Sequence, residues 1–257
     1  MDLKPEASTS VVDGVVKRLM DDVLAGKIPA GGYLSPERDL AAELGVSRVT
    51  VRAAIHRLVG WGVIATRQGS GAMVRPRRSW TADALASIVS HAMASGDIDA
   101  LLPVVGDGLE LRRMLVTDLV ERAAGRVKKG SLETAKMLVH EAWSARAEPN
   151  RFVRLDREIL PSMLEAARMW PSLLFLNSMA ASYLAVVDGI APMMTVPASY
   201  VPAHLAVLAA VEEGRGAEAR RVFSLYLDEL DQSLVAPLPT EVVERLFPGR
   251  SAGRTPR

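Results

Sequence analysis

From Arg38 to Arg78 the chain places cations at Arg38, Arg48, Arg52, Arg57, Arg67, Arg75, Arg77 and Arg78, and its acids there are Asp39 and Glu43. The whole chain, by contrast, carries a formal charge of +1 over 257 residues. The cations are therefore concentrated rather than general. Clustered guanidinium groups can act on a polyanion in two ways. They displace counterions from phosphates, which is independent of sequence and sensitive to salt, and they grip guanine with paired hydrogen bonds. Double-stranded DNA is the partner this chemistry points to; the plainer alternative is a solvated arginine-rich face.

The elements that must hold those arginines are legible locally. Ser35 is a good N-cap, and Pro36 suits a first helical position, where its missing N–H costs nothing. Glu37 and Asp39 favour the positive end of that helix, and Leu40, Ala41 and Leu44 form its buried stripe. Gly45 ends it, because glycine takes positive φ cheaply. Ser47 caps a second helix reaching about Trp61, with Val51, Ala54, Ile55 and Leu58 inward and Arg48, Thr50 and Arg52 in its first turns. Two strands follow, Val63–Thr66 and Ala72–Arg75, around the turn Gln68-Gly69-Ser70-Gly71. Helix, turn, helix and hairpin in this order describe a winged helix-turn-helix, whose second helix meets base edges. A further helix is expected from about Val11 to Ala25.

The same residues resemble the GntR superfamily of bacterial transcription regulators. The matching positions are Leu34 to Arg38 (with Ser35 and Pro36 exchanged), Leu40-Ala41, Leu44-Gly45-Val46-Ser47-Arg48, Thr50-Val51-Arg52, Ala54-Ile55, Leu58 and Gly69-Ser70-Gly71. Gly26 to Gly31 resembles the family's lead-in. The resemblance implies that Arg38, Arg48 and Arg52 contact DNA and that the wing tip reaches the minor groove. Ser47, Thr50, Arg67, Gln68 and Gly69 join them as candidate DNA-binding residues.

Composition bounds the rest. The chain has no cysteine, so disulfides, thiolate metal sites and cysteine nucleophiles are excluded. No apolar run approaches the ~20 residues that span a bilayer. Asp2, Lys4, Pro5 and Glu6 interrupt any signal-peptide core, and a cytoplasmic location is expected. After Arg78 apolar residues recur at helical spacing, punctuated by Pro149, Pro171, Pro197, Gly214 and Gly216. Helices are expected to about Ala94 and over Leu109–Ala124, Leu132–Ala147, Arg151–Met169, Pro171–Ile190, Ala198–Glu213 and Ala217–Ser233. The expected architecture is mainly α: a winged helix-turn-helix over 1–78, an all-helical antiparallel bundle over 79–247 for effector binding and dimerisation, and a disordered tail over 248–257.

An all-helical body resembles the GntR branch named after the fatty-acid-responsive regulator FadR. The carrying residues are Glu110-Leu111-Arg112, Phe152 to Asp156, His204 to Val211 and Ala217 to Leu227. Many members of that branch hold a divalent metal with one Asp and three His. Laid on this chain, those positions are Asp156, Leu160, His204 and Tyr226. Leucine offers no donor, so no metal or other cofactor is expected.

Two readings of Asp156 and His204 stay open. They could line an effector pocket, with Arg112 or Arg113 holding an acidic group, Leu160 as an apolar wall and Tyr226 donating a hydrogen bond. Alternatively, His204 is an interior histidine satisfied by a backbone carbonyl or by Asp156. Without the metal, and with a bundle rich in Leu and Met such as Pro192-Met193-Met194, the effector expected is an acyl-CoA or another apolar ligand. A small organic acid bound without metal is the alternative. The function expected is a homodimeric regulator, in the family's commoner mode a repressor, whose two heads read a palindromic operator and respond to a small molecule. An enzyme finds no support, because no P-loop, G-x-S-x-G, H-E-x-x-H or dinucleotide fingerprint is present. A ligand-independent architectural DNA protein is the remaining contender.

Overall fold

The computed structural model describes residues 10–67, 71–178 and 195–235. It divides into two compact units, Met1–Asp97 and Ile98–Arg257. The first unit opens with α1 (Val11–Leu24), whose capping box is complete: Ser10 accepts from the Asp13 amide, and Asp13 accepts from the Ser10 amide. Then come α2 (Glu37–Leu44) and α3 (Arg48–Gly60). Strands β1 (Ile64–Arg67) and β2 (Gly71–Val74) pair antiparallel, with Ile64 opposite Val74 and Arg67 opposite Gly71. The chain before α2 adds a third line to this sheet: Leu34 N–H donates to the Ala72 carbonyl, and Val74 N–H donates to the Gly32 carbonyl. A winged helix-turn-helix results.

Its core is what the α3 periodicity demands. Val51, Ala54, Ile55 and Leu58 are buried against Val15, Val16, Leu19 and Met20 of α1 and against Leu40 and Ala41 of α2. Gly45 takes φ 65° as the left-handed end of α2, so two helices turn within three residues. One local expectation fails. Pro36, not Ser35, stands at the α2 cap, and no side chain caps that end. Proline there still fixes the entry angle through its own φ of −53°.

The boundary between units also differs from the expected one after residue 78. Trp80, Ala84 and Ile88 complete the core of the head, and Trp80 Nε1 donates to the Arg75 carbonyl. Helix α4 (Leu85–Ser95) packs on α1, where His91 meets the Asp21 carboxylate at 2.9 Å. Gly96, at φ 67°, then ends α4. Residues 79–97 therefore belong to the head by packing.

The regular elements described in the second unit are all helices: α5 (Ile98–Ala123), α6 (Glu133–Ser144), α7 (Pro149–Ala166), α8 (170–178), α9 (Tyr200–Glu212) and α10 (Gly216–Val235). Helix α10 packs on α5 and α9, and α6 packs on α7 and α9. Leu119, Val120, Val139, Phe152, Met163, Leu164, Tyr200, Leu208 and Val211 lie in one core. Helix α5 begins eleven residues earlier than the expected Leu109 and runs through Pro103. That proline forfeits its own backbone hydrogen bond and crowds the carbonyl four residues back, one turn inside the helix. The expected helix over Pro171–Ile190 is described only to 178, and the expected tail lies outside the described residues. None of the described helices is long and apolar enough to cross a membrane.

Two glycines of the head give opposite expectations. Gly62 has φ 69°, and a Cβ there would stand 2.2 Å from the Ser79 carbonyl oxygen. Gly14 lies inside α1, and a Cβ there would meet nothing within 4 Å. Gly62→Ala should cost about 2–3 kcal/mol through positive φ and overpacking. Gly14→Ala should add about 0.5–1 kcal/mol by helix propensity. Urea midpoints of the two full-length variants against the parent check both signs.

Candidate nucleic-acid interface and candidate effector site

Helix α3 starts with a cation where its dipole disfavours one. Arg48 occupies the first position, and no acid stands in the first turn. A cation at a helix N-terminus costs roughly 0.3–1 kcal/mol, so stability does not account for it. The same amide-rich end suits a phosphate. Ser47 caps this end by accepting from the Thr50 amide at 3.1 Å, and the two hydroxyls lie 2.8 Å apart. Both hydroxyls therefore orient the turn first, with acceptor and donor capacity left over for a phosphate.

The outward face of α3 carries Arg48, Val49, Arg52, Ala53 and His56, all exposed. Val49 and His56 had no place in the expected site. Their signal was present, since His56 follows Arg52 by four residues and so shares its face. Val49 is 77% exposed, an apolar side chain of the size that meets a thymine methyl.

The arginines are less uniform than the charge run suggests. Arg52 forms an ion pair with Glu37 at 2.7 Å, and Arg38 pairs with its neighbour Asp39 at 3.1 Å. Arg57 bonds Asp13 of α1 and lies over the Trp61 ring, so it fastens α1 to α3. That guanidinium is the first cause, with Ser10 second, of an Asp13 carboxyl held below the usual carboxylate range. Glu37 and Asp13 both precede the stretch in which acids looked scarce. Among the described residues, Arg48 has no ion pair. Arg67 ends β1 opposite Gly71, while Gln68 and Gly69 lie outside the described residues.

In the second unit Asp156 of α7, His204 of α9 and Tyr226 of α10 do come together. His204 Nε2 is 4.0 Å from Asp156 Oδ1, and its ring centroid is 4.7 Å from that of Tyr226. The organising residue was missed: Tyr200, fully buried, donates its hydroxyl to Asp156 Oδ1 at 2.7 Å. It stands one helical turn before His204 on α9, a spacing that places both on one face. Tyr200 also meets Trp143, Phe152 and Tyr226 ring to ring, and Phe223 closes the cluster against His204. Burial, with the Asp156 charge second, raises the Tyr200 hydroxyl far above the ordinary phenol range, so it stays a donor. Burial also raises Tyr226.

His204 Nδ1 lies 2.7 Å from the Tyr200 backbone carbonyl. A carbonyl only accepts, so Nδ1 carries the proton and Nε2 presents its lone pair. Burial lowers the His204 pKa, overriding Asp156 and the carbonyl, which raise it. The backbone-satisfied reading thus describes this histidine, whereas Nε2 has no hydrogen to give Asp156, 4.0 Å away. Leu160 is half-buried and packs on the bundle core one turn after Asp156.

Arg112 departs from its expected role as an effector anchor. Arg112 and Arg113 of α5 both bond the buried Asp231 of α10, and Arg113 also bonds Asp228. These guanidinium groups hold two helices together. As to a metal, Asp156 and His204 are the only donors of the usual kind at the four family positions, beside a leucine and a phenol. Among the described residues no three His, Cys, Asp or Glu side chains converge to hold an ion. This donor set does not fit a four-coordinate site.

Comparisons with known proteins agree with this division. Residues 12–74 match the family described as bacterial regulatory proteins, gntR family, and residues 107–229 match the FCD domain. The regulator Mce2R of Mycobacterium tuberculosis is 29% identical over 244 residues, covering 94% of this chain and 98% of that protein. An Escherichia coli protein assigned as regulator of the L-lactate dehydrogenase operon is 31% identical over 134 residues, 52% of this chain and 49% of its own length. Among solved structures, Lar of Listeria monocytogenes, which controls expression of the agr system, shares the fold. It has a TM-score of 0.55 at 16% identity, over 92% of this chain and 100% of that one.

Two outcomes are expected from this geometry. Arg48→Ala should keep the fold and lose operator affinity by about 10- to 100-fold, the value of one bidentate base contact, in fluorescence anisotropy at fixed salt. The neutral buried His204 should make stability fall with acid. Its folded pKa is depressed, so the unfolded chain takes up the proton first, at about pH 6.5. Stability is intact above that pH and declines below it by up to ~1.4 kcal/mol per pH unit until the folded pKa is reached. The urea midpoint of His204→Gln should fall less steeply between pH 7 and pH 5 than that of the parent.

Proposed function

Because the chain belongs to the GntR family of bacterial regulatory proteins, with an FCD domain behind its winged head, we propose that it is a homodimeric operator-binding repressor released by a largely apolar effector. It is a transcription regulator and not an enzyme. Arg38, Ser47, Arg48, Thr50, Arg52, Arg67, Gln68 and Gly69 are the proposed DNA-binding set, with Val49 and His56 added from the exposed face of α3. Two copies on a two-fold axis would read a palindrome, since operator symmetry mirrors protein symmetry.

The observation that carries the effector class is the fate of the arginines. Arg112 and Arg113 are engaged by Asp231 and Asp228, so the cations expected to hold a free carboxylate are already matched by acids. What faces Asp156 is Tyr200, His204 and Tyr226, an aromatic wall with one carboxylate and one imidazole lone pair. Such a wall suits an apolar body with a hydrogen-bond-donating group, an acyl-CoA amide arm or a hydroxylated lipid being examples. The methionines at 193 and 194, expected to add adaptable surface, lie outside the described residues. No metal takes part in this proposal. A cytoplasmic location accompanies it.

A small organic acid is the second reading, favoured by the likeness to the lactate-operon protein over half of this chain. The two separate in one titration. Operator DNA selected from random duplexes is bound to the full chain, and long-chain acyl-CoA or L-lactate is added. The proposal expects acyl-CoA to weaken operator binding at least tenfold, with Tyr200→Phe blunting the response and chelator treatment leaving it unchanged. Release by lactate alone establishes the second reading. A protein indifferent to both, and unable to tell operator from random DNA, is an architectural binder. For a ligand to act, it must bind the released and bound arrangements with different affinity.

A further inference from the structure

We infer that Glu37 is a positioning residue for base reading, one that turns Arg52 from a phosphate anchor into a guanine-reading fork. This rests on α3 being the recognition helix. Glu37 opens α2 and Arg52 lies on α3, fifteen residues later. The pair is made side-on. Arg52 Nε lies 3.2 Å from Glu37 Oε1 and 3.1 Å from Oε2, and Nη2 lies 2.7 Å from Oε2.

Counting donors shows what this geometry leaves. A guanidinium has five N–H groups in a planar fork. The carboxylate takes Nε–H and one hydrogen of Nη2. The remaining Nη2 hydrogen and one Nη1 hydrogen form the end edge, the second Nη1 hydrogen points to the far side, and the Arg52 side chain is 55% exposed. Two parallel donors on an end edge match O6 and N7 of guanine in the major groove. Glu37 thus occupies the edge that a base does not need and leaves the edge that it does.

Two consequences follow for recognition. The guanidinium plane is set before DNA arrives, so part of the ordering cost of a long side chain is met in the free protein. The carboxylate also cancels the Arg52 charge, so the pair adds little to general phosphate attraction. Arg48, on the same exposed face and without an ion pair among the described residues, keeps its full charge. Arg52 is the first cause that holds the Glu37 carboxyl below its usual range, and Arg48 and His56 add to it, so Glu37 stays ionised through mild acid. An anion beside the groove also penalises registers that would press a phosphate against it, which raises specificity by excluding wrong dockings.

The test uses the full chain and operator DNA selected from random duplexes. Affinity for that operator and for random duplex is measured across a salt series for the parent, Glu37→Gln, Arg52→Ala, Arg48→Ala and the Glu37→Gln/Arg52→Ala double variant. Expected for Glu37→Gln is a roughly tenfold lower ratio of operator to random affinity, with random-duplex binding equal or stronger and a steeper salt slope, because a net positive charge is released. Scanning every operator base pair should show the lost discrimination at one G·C pair, the same pair to which Arg52→Ala becomes indifferent. The double variant should discriminate no worse than Arg52→Ala alone. A Glu37→Gln protein that keeps the parent ratio overturns the inference. So does one that weakens operator and random DNA alike, which is what a loosened α2–α3 joint would do. If Arg48→Ala and Arg52→Ala both leave the ratio intact, the recognition-helix reading itself has failed, and that outcome is separate.

Discussion

Asp231 is 1% exposed and is held by two arginines of another helix, Arg112 and Arg113. A buried carboxylate alone is costly, and here two guanidinium groups offset that cost. That requirement fixes the register of α10 on α5. Further along the same helix pair, Arg220 meets Glu121, which fits the antiparallel course. With α10 set, Phe223 and Tyr226 project toward α9 and meet His204. The polar cluster of the second unit is therefore positioned by an ion network that takes no part in it.

That dependence explains why Arg112 misleads when read from its neighbours in sequence. Glu110-Leu111-Arg112 looks like an anchor for an acidic ligand, yet the partner that claims it lies 119 residues away. Asp156 and Tyr200 are separated by 44 residues, and Arg52 and Glu37 by 15. Local patterning carries periodicity, caps and turns, which are short-range. It carries no information on which distant acid neutralises a given base. The inward face of α3 and the left-handed end at Gly45 were legible because each is settled within one or two turns of chain. The start of α5 was not: the helix begins at Ile98 and runs through Pro103, a residue that local propensity alone disfavours inside a helix. The same limit moved the unit boundary: Trp80 and Ile88 read as the start of the helical bundle until the core they complete is seen.

The two units solve opposite electrostatic problems. In the head, cations are left facing outward at the end of α3 where the helix dipole resists them, and the cost is local and small. Glu37 and Asp13 each take one arginine out of that field, on opposite sides of α3. What remains outward is a graded surface: Arg48 as open charge, Arg52 as a matched and oriented fork, Val49 and Ala53 as apolar patches between them. Such grading is what distinguishes reading a sequence from adhering to a polyanion, since uniform charge supplies affinity without discrimination.

In the second unit the charges are paired inward, and the group left to decide is neutral. His204 cannot take a proton without losing burial energy, and its Nδ1 proton is committed to the Tyr200 carbonyl. The Tyr200 hydroxyl is committed to Asp156. The Tyr200 hydroxyl and the His204 Nδ1 proton are thus each oriented by a neighbour on α7 or α9. A molecule that displaces Tyr200 from Asp156 would disturb α7 and α9 together, because the hydroxyl bridges them. One hydrogen bond thus ties the two helices at the edge of an aromatic cluster in which Tyr200 itself is fully buried.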